Sequence, residues 1–414
     1  MFLVRFPVVR RQRQWQLSRV LPPVLTALAL PLALAACASR PAGNGANGAK
    51  GPPTIGAAIA LTGNASVIGQ DQRIGLQLAH TYFQGKGAEL RLQIEDGGSD
   101  EATATNAFRS LINAGVVALI GPSLSQQAFA VDPIADRGGI PVVGPSNTAK
   151  GIPEIGPFVS RVSAPVAKVA PLSINAALKL NPQIRRAAVF YAQDDAYSSS
   201  ESKIFQAVLA ERGLKPLTVQ KTSVTDTDFQ NQITDTLRRN PDLIVISALP
   251  TDGGNLVRQI RELGYKGSLV VGNGMNSPNI YPICQKYCDG LLIAQAYSPE
   301  ANTPINKAFL ALYSKDRGGA IPPQFSAQAF TAYQVLAEAL TAVQTSLPAG
   351  KTLAALPLPE LRRQLNTALL KGNYQTPLGE IRFSPEGEVI QKQFYVAQVR
   401  MNPDGKSGRF QLLP

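Results

Sequence analysis

The chain has 414 residues, of which 44% are hydrophobic and 16% charged, enough apolar material for two or three domains with real cores and too much for global disorder. Three cysteines exclude a disulfide-dense scaffold, and the single histidine, His80, argues against histidine catalysis or a His-rich metal site. The net charge is +12, but residues 1–36 hold five arginines and no acid, so the remainder carries +7 with no arginine cluster of the kind that binds nucleic acid.

The first element in chain order is a leader. Arg5, Arg10, Arg11, Arg13 and Arg19 precede an apolar stretch from Val24 to Ala36. That stretch is broken by Pro31 and is too short to span a hydrocarbon core of ~30 Å, and basic-then-apolar-then-small is the order of a secretory signal. It ends Leu34-Ala35-Ala36-Cys37, which resembles the bacterial lipobox. The resemblance implies a signal peptide over 1–36, a lipid on Cys37, and a protein exported and anchored to a bacterial membrane by that lipid. Residues 37–53 read as a flexible tether rich in Gly, Ala, Asn and Pro. Gly43-x-Gly45-x-x-Gly48 matches a dinucleotide fingerprint literally, but it follows no strand and opens no helix.

From Thr54 onward, strand-like and helix-like segments alternate. Thr54–Ala60, Leu90–Glu95, Val116–Ile120 and Ile140–Val143 read as strands. Between them Ile74, Leu78 and Tyr82, then Phe108, Leu111 and Ile112, then Leu124, Ala128 and Val131 recur at helical spacing. The pattern restarts with strands at Ala187–Tyr191, Leu217–Lys221, Leu243–Ile246, Leu269–Val271 and Leu291–Ala294. Helical stripes lie between these, one of them ending at Gly264. This predicts an α/β protein with two Rossmann-like lobes built on parallel sheets. The C-terminal part holds two more helical stretches and strands at Gly379–Phe383 and Gln393–Val399, joined through the turn Ser384-Pro385-Glu386-Gly387. It is too little for a third lobe and is expected to complete the first two. Cys284 and Cys288 are either a local disulfide or two buried thiols.

Several segments together resemble the type I periplasmic binding proteins, in the branch that binds leucine, isoleucine and valine. Ile55–Leu61-Thr62-Gly63 is similar to that family's first strand and loop. Val117–Gly121-Pro122-Ser123-Leu124-Ser125 and Gly139-Ile140-Pro141-Val142-Val143-Gly144-Pro145-Ser146-Asn147-Thr148 resemble its two ligand-meeting loops. Tyr191–Tyr197 resembles the second-lobe segment that carries a ligand-facing Tyr. The resemblance implies two lobes joined by three crossing strands, near Arg161, Tyr297 and Thr376. The first lobe is then 54–162 plus 297–375, and the second 163–296 plus 376–414. It implies a receptor, not an enzyme, that delivers an amino acid to the permease and ATPase of an ABC importer, with no cofactor and no metal.

The implied ligand residues are Ser125, Ser146, Asn147, Thr148, Tyr197 and Asp252. Short hydroxyl side chains and free N–H groups after strands suit a carboxylate. An ammonium needs an acid, and Asp252, Asp195 and Asp194 are the candidates, because Gly274 stands where the resemblance would place an amine-binding Glu. Ser198 and Leu249 also depart from the pattern, standing where it has Gly and Tyr. These departures leave a related amide, urea or carboxylate open as the ligand. They also leave open a same-fold lipoprotein that regulates a cell-wall enzyme through its surface; neighbouring permease genes would favour the importer.

Overall fold

The computed structural model describes residues 51–414; the leader, Cys37 and most of the tether lie outside the described residues. The first half of the chain gives β1 (Thr54–Ile59), α1 (Ser66–Gln84), β2 (Arg91–Asp96), α2 (Glu101–Asn113), β3 (Ala118–Ile120), α3 (Ser125–Arg137), β4 (Val142–Gly144) and β5 (Val159–Arg161). Their strands form one parallel sheet in the order β2-β1-β3-β4-β5. Next come α4 (Val166–Leu180), β6 (Ala187–Ala192), α5 (Ala196–Glu211), β7 (Val219–Thr222), α6 (Gln230–Leu237), β8 (Leu243–Ser247), α7 (Pro250–Glu262), β9 (Ser268–Val271), α8 (Tyr281–Cys284) and β10 (Leu292–Gln295). The chain finishes with α9 (Pro304–Asp316), α10 (Gln324–Ser346), α11 (Leu358–Lys371), β11 (Asn373–Thr376), β12 (Gly379–Phe383), β13 (Val389–Gln391), β14 (Tyr395–Met401) and β15 (Gly408–Leu412). The second sheet has the order β15-β14-β10-β9-β8-β6-β7, parallel from β10 to β7, with β14 and β15 antiparallel at one edge.

Helices cover both faces of each sheet, so strand residues are buried whichever way they point. In β8, Leu243 and Val245 pack with Phe205 and Leu209 of α5, while Ile244 and Ile246 pack with Val257 and Ile260 of α7. In the first lobe, Ala58 and Leu119 face α2 and α3 through Phe108 and Val131. Ile55 and Ile120 face the aromatic core that α9 and α10 bring from much later in the sequence, Phe309, Phe330 and Tyr333. His80 is placed by that core, with Nδ1 2.9 Å from the Tyr333 hydroxyl. Cys284 and Cys288 are buried and joined as a disulfide.

The chain leaves the first sheet after Arg161 and returns to the first core at Tyr297. The third crossing lies later than the Thr376 boundary read from the sequence. Ile381, Phe383 and Val389 of the β11–β12–β13 sheet belong to the first lobe's core, and only β14 and β15 enter the second sheet. The turn at 384–387 is where expected, but the hairpin it joins is β12–β13, and β13 and β15 are additional strands. Packing decides this: three large apolar side chains of the hairpin point at Tyr374, Leu365 and Leu369 rather than at the second sheet.

Helices α1 and α10 are in backbone contact. A Cβ on Gly75 would lie 2.1 Å from the carbonyl oxygen of Ser326, so no other residue fits without moving a helix. Gly75→Ala is expected to cost about 1–3 kcal/mol, the usual range for overpacking, read as a lowered urea midpoint. An unchanged midpoint would mean that the helices can part freely.

Candidate functional site

The loops at the carboxyl ends of the strands face each other across the lobes, where open α/β sheets place ligands. Ala60, Ala65, Ile68, Leu124 and Phe325 from the first lobe form a single apolar cluster with Val166, Tyr197 and Leu249 from the second. The cluster is framed by polar contacts between lobes. Thr251 donates from its hydroxyl to the Asn64 carbonyl at 3.0 Å, Lys150 N donates to Ser200 Oγ at 3.1 Å, and Gln324 Nε2 donates to Asn273 Oδ1 at 2.8 Å. The lobes are therefore closed on one another.

All six residues named from the sequence are buried, and Tyr197 lies in the interlobe cluster, but they are spent differently. Ser146 donates to the Ser123 carbonyl at 2.5 Å and accepts from Gln72 Nε2 at 2.7 Å. Asn147 donates through Nδ2 to the Pro122 carbonyl at 3.0 Å. These two hold the loop. Ser125 Oγ accepts from Ala149 N at 3.2 Å, which leaves its proton to donate. Thr148 Oγ1, by contrast, is buried with no hydrogen-bond partner among the described residues. Its loop is fixed from below: Arg161 Nη1 donates to the carbonyls of Asn147 and Ala149 at 2.8 and 2.6 Å, and Arg161 Nε donates to Glu388 at 2.8 Å.

In the second lobe, the Tyr197 hydroxyl is already engaged on both sides. Oη donates to Glu201 Oε2 at 2.6 Å and accepts from Gly274 N at 2.6 Å. Only its ring reaches the interlobe cluster. Glu201 also accepts from Asn273 N at 3.0 Å and Ser247 Oγ at 2.7 Å, and burial pushes its carboxyl up to about 7. Gly274 is required by this packing. A Cβ there would sit 2.4 Å from the Ala248 carbonyl oxygen and 2.9 Å from the Tyr197 ring, so a Glu at this position is excluded.

The three aspartates separate cleanly. Asp194 accepts from Ser223 Oγ and, at 3.0 Å, from Val224 N. Asp195 caps α5 by accepting from Ser198 N at 2.7 Å. Asp252, in the first turn of α7, is 2% exposed, and neither of its oxygens has a hydrogen-bond partner among the described residues. Burial, reinforced by the charge of Asp195, holds its carboxyl well above the usual range. Ser198 Oγ is also buried without a partner. Sequence reading passed over Glu201, and it named Ser198 only as a departure from the family pattern and Arg161 only as a crossing point. For Glu201 one signal existed: it falls four residues after Tyr197, an acid on the buried face of a helix.

A family model described as periplasmic binding protein matches residues 52–407. The chain is similar to the Leu/Ile/Val-binding protein BraC3 of Rhizobium johnstonii, 25% identical over 316 residues that cover 72% of this chain and 84% of that one. It is also similar in structure to the leucine binding protein LivK of Thermotoga maritima, with a TM-score of 0.75 and 26% identity over 87% of this chain and 97% of that one. A solute binding protein of an ABC transporter from R. palustris, solved in complex with benzoate, superposes with a TM-score of 0.75 at 19% identity, over 87% of this chain and 96% of that one.

Glu201 gives the site a measurable pH signature. Between its ordinary value and about 7 the folded protein holds a proton that the unfolded chain has released. Stability therefore falls as pH rises through that interval. Asp71, pushed up to about 7, adds to the same slope. Glu201→Gln is expected to flatten part of it, measured as urea midpoints at about pH 5 and pH 8. A variant with the wild-type slope would mean that Glu201 titrates as an exposed acid does.

Proposed function

The chain belongs to the periplasmic binding protein family, and from that premise we propose that it captures a neutral amino acid between its lobes and delivers it to the permease and ATPase of an ABC importer. The observation that carries this reading is Asp252. A carboxylate buried without a partner is costly, and a ligand ammonium supplies the missing charge. On the opposite lobe Thr148 and Ser125 offer hydroxyl donors to the α-carboxylate beside the N-terminus of α3, where the helix dipole favours negative charge. The side chain lies against Leu124, Leu249, Phe325 and the Tyr197 ring, an apolar wall that suits a branched-chain or other neutral residue. A urea or simple amide brings no cation and would leave Asp252 unpaired; an aryl carboxylate such as benzoate would do the same.

Such a ligand touches both lobes only when they are closed, so binding biases the hinge toward the closed state. No bond is made or broken, and the protein acts as a receptor. The lipid on Cys37 and the tether after it would hold the receptor on the outer side of the membrane, within reach of the permease.

Calorimetry with leucine and related amino acids tests this. Hydrogen bonds to charged groups contribute roughly 1.5–3 kcal/mol, so Thr148→Val is expected to weaken binding by about 10- to 100-fold. Wild-type affinity in that variant would sink the carboxylate assignment. Pairing with an ammonium lowers the pKa of Asp252 in the complex, so binding should release a proton and weaken as pH falls. Titrations in buffers of different ionisation enthalpy should show that proton, and Asp252→Asn should abolish it together with most of the affinity. Proton-free binding by wild type would remove Asp252 from the ligand's amine.

A further inference from the structure

A cavity of about 1050 Å³ opens between the lobes, away from the Thr148 and Asp252 loops. The first lobe lines it with Asp71 of α1 and with Tyr313 and Arg317 of α9, the second with Tyr281 and the β15 segment, and the crossing segment with Tyr297. Thr148, Ser198 and Asp252 are not among its walls.

Four aromatic rings meet there, those of Tyr281, Tyr297, Tyr313 and Phe410, with the Tyr281 and Phe410 centroids 5.7 Å apart. Tyr281 is 3% exposed, and its hydroxyl has no hydrogen-bond partner among the described residues. The charges divide by whether they are already spent. Asp71 accepts from Ser277 Oγ at 2.7 Å and Asn279 Nδ2 at 3.0 Å, and burial pushes it up to about 7. Glu300 also lines the cavity, and its carboxylate forms no salt bridge among the described residues. Arg317 is an exposed residue at the rim of the cavity, forms no salt bridge among the described residues, and its charge reaches both Asp71 and Tyr313. Arg409, on β15, is likewise without an acidic partner and lines the same cavity. The groups without a partner are one phenol hydroxyl, two guanidiniums and the single Glu300 carboxylate, a net positive set around an aromatic-walled space. Guanidinium is the natural partner of a carboxylate, and ring faces stack on ring faces.

We propose that this cavity is a second ligand site, selective for a planar aryl carboxylate that stacks among the four rings, meets Arg317 through its carboxylate and accepts from the Tyr281 hydroxyl. Its walls come from both lobes, so the ligand favours the closed arrangement. If the cleft also closes on an amino acid, each ligand raises the affinity of the other by the same factor. That coupling rests on the closure reading above; binding at the second site does not.

The test is calorimetry of the mature protein with 4-hydroxybenzoate, and with benzylamine as the cationic counterpart. One molecule of 4-hydroxybenzoate is expected per chain, undisplaced by saturating leucine. Arg317→Gln should weaken it at least tenfold, Tyr281→Phe by a smaller factor, and Thr148→Val and Asp252→Asn not at all. Arg317 is exposed, and unchanged melting of its variant confirms that the fold is intact. The proposal is overturned by no binding at about 1 mM, by wild-type affinity in Arg317→Gln, by displacement with leucine and loss in Thr148→Val, or by benzylamine binding as tightly. If leucine fails to bind while 4-hydroxybenzoate behaves as stated, the amino-acid reading falls and this one stands.

Discussion

Arg161 carries a full positive charge into the interior, 2% exposed, at the point where the chain leaves its first sheet. A buried guanidinium is tolerable only if its donors are met, and each direction in which it donates meets a different part of the molecule. Two donors go to Glu388 beside β13, two more contacts go to the carbonyls of Asn147 and Ala149, and the strand itself is the edge of the sheet. The loop that presents Thr148 is thus held by its main chain, which leaves the threonine hydroxyl free. Removing one partner of a fully buried pair costs about 3–5 kcal/mol in other proteins, most of it the penalty of the stranded charge; Glu388 is 31% exposed, so the cost here is smaller. The same residue begins the crossing to the second lobe, so the ligand loop, the hairpin and the hinge are set by one side chain.

The contacts between the lobes are of another kind. Asn64 to Val224, Thr251 to Asn64, Lys150 to Ser200 and Asp71 to Ser277 are single hydrogen bonds, none of them a salt bridge. Each is worth about 0.5–1.5 kcal/mol net, since water replaces it when the lobes part. Together with the apolar cluster around Leu124 and Leu249 they hold the closed arrangement, and any ligand that touches both lobes adds to it. The rigid interior of each lobe and the weakly held interface between them are what a hinge requires.

The lobes were readable because they are written locally. Runs such as Leu243-Ile244-Val245-Ile246, and stripes such as Phe108, Leu111 and Ile112, carry their period within a few residues. The third crossing was not readable, because the turn at 384–387 looks the same whichever core receives the hairpin. At the site, position was legible and duty was not. Ser146 and Thr148 stand two residues apart in one loop, yet one hydroxyl is consumed by Ser123 and Gln72 and the other by nothing. What separates them is a glutamine 74 residues earlier in sequence. The Tyr197 ring lies in the interlobe cluster, while its hydroxyl is claimed by Glu201 and by the Gly274 amide, a partner 77 residues away. Among the aspartates, only three-dimensional accounting of donors distinguishes Asp252 from Asp194 and Asp195.

The route of the chain has a consequence for when each lobe can exist. The first sheet is complete at Arg161, but its core needs Phe330 and Tyr333 of α10 and then Ile381 and Phe383 of β12. The second sheet is built through β10, yet Ala397 and Val399 of β14 finish its core. Glu388, the counter-charge of Arg161, lies 227 residues after it. Contacts of such long sequence separation form slowly, because loop closure must precede any reward. Neither half can therefore reach its native packing while the last quarter of the chain is missing. The interleaving acts as a timer: it withholds both finished cores, and the cleft between them, until nearly the whole length of the chain is available.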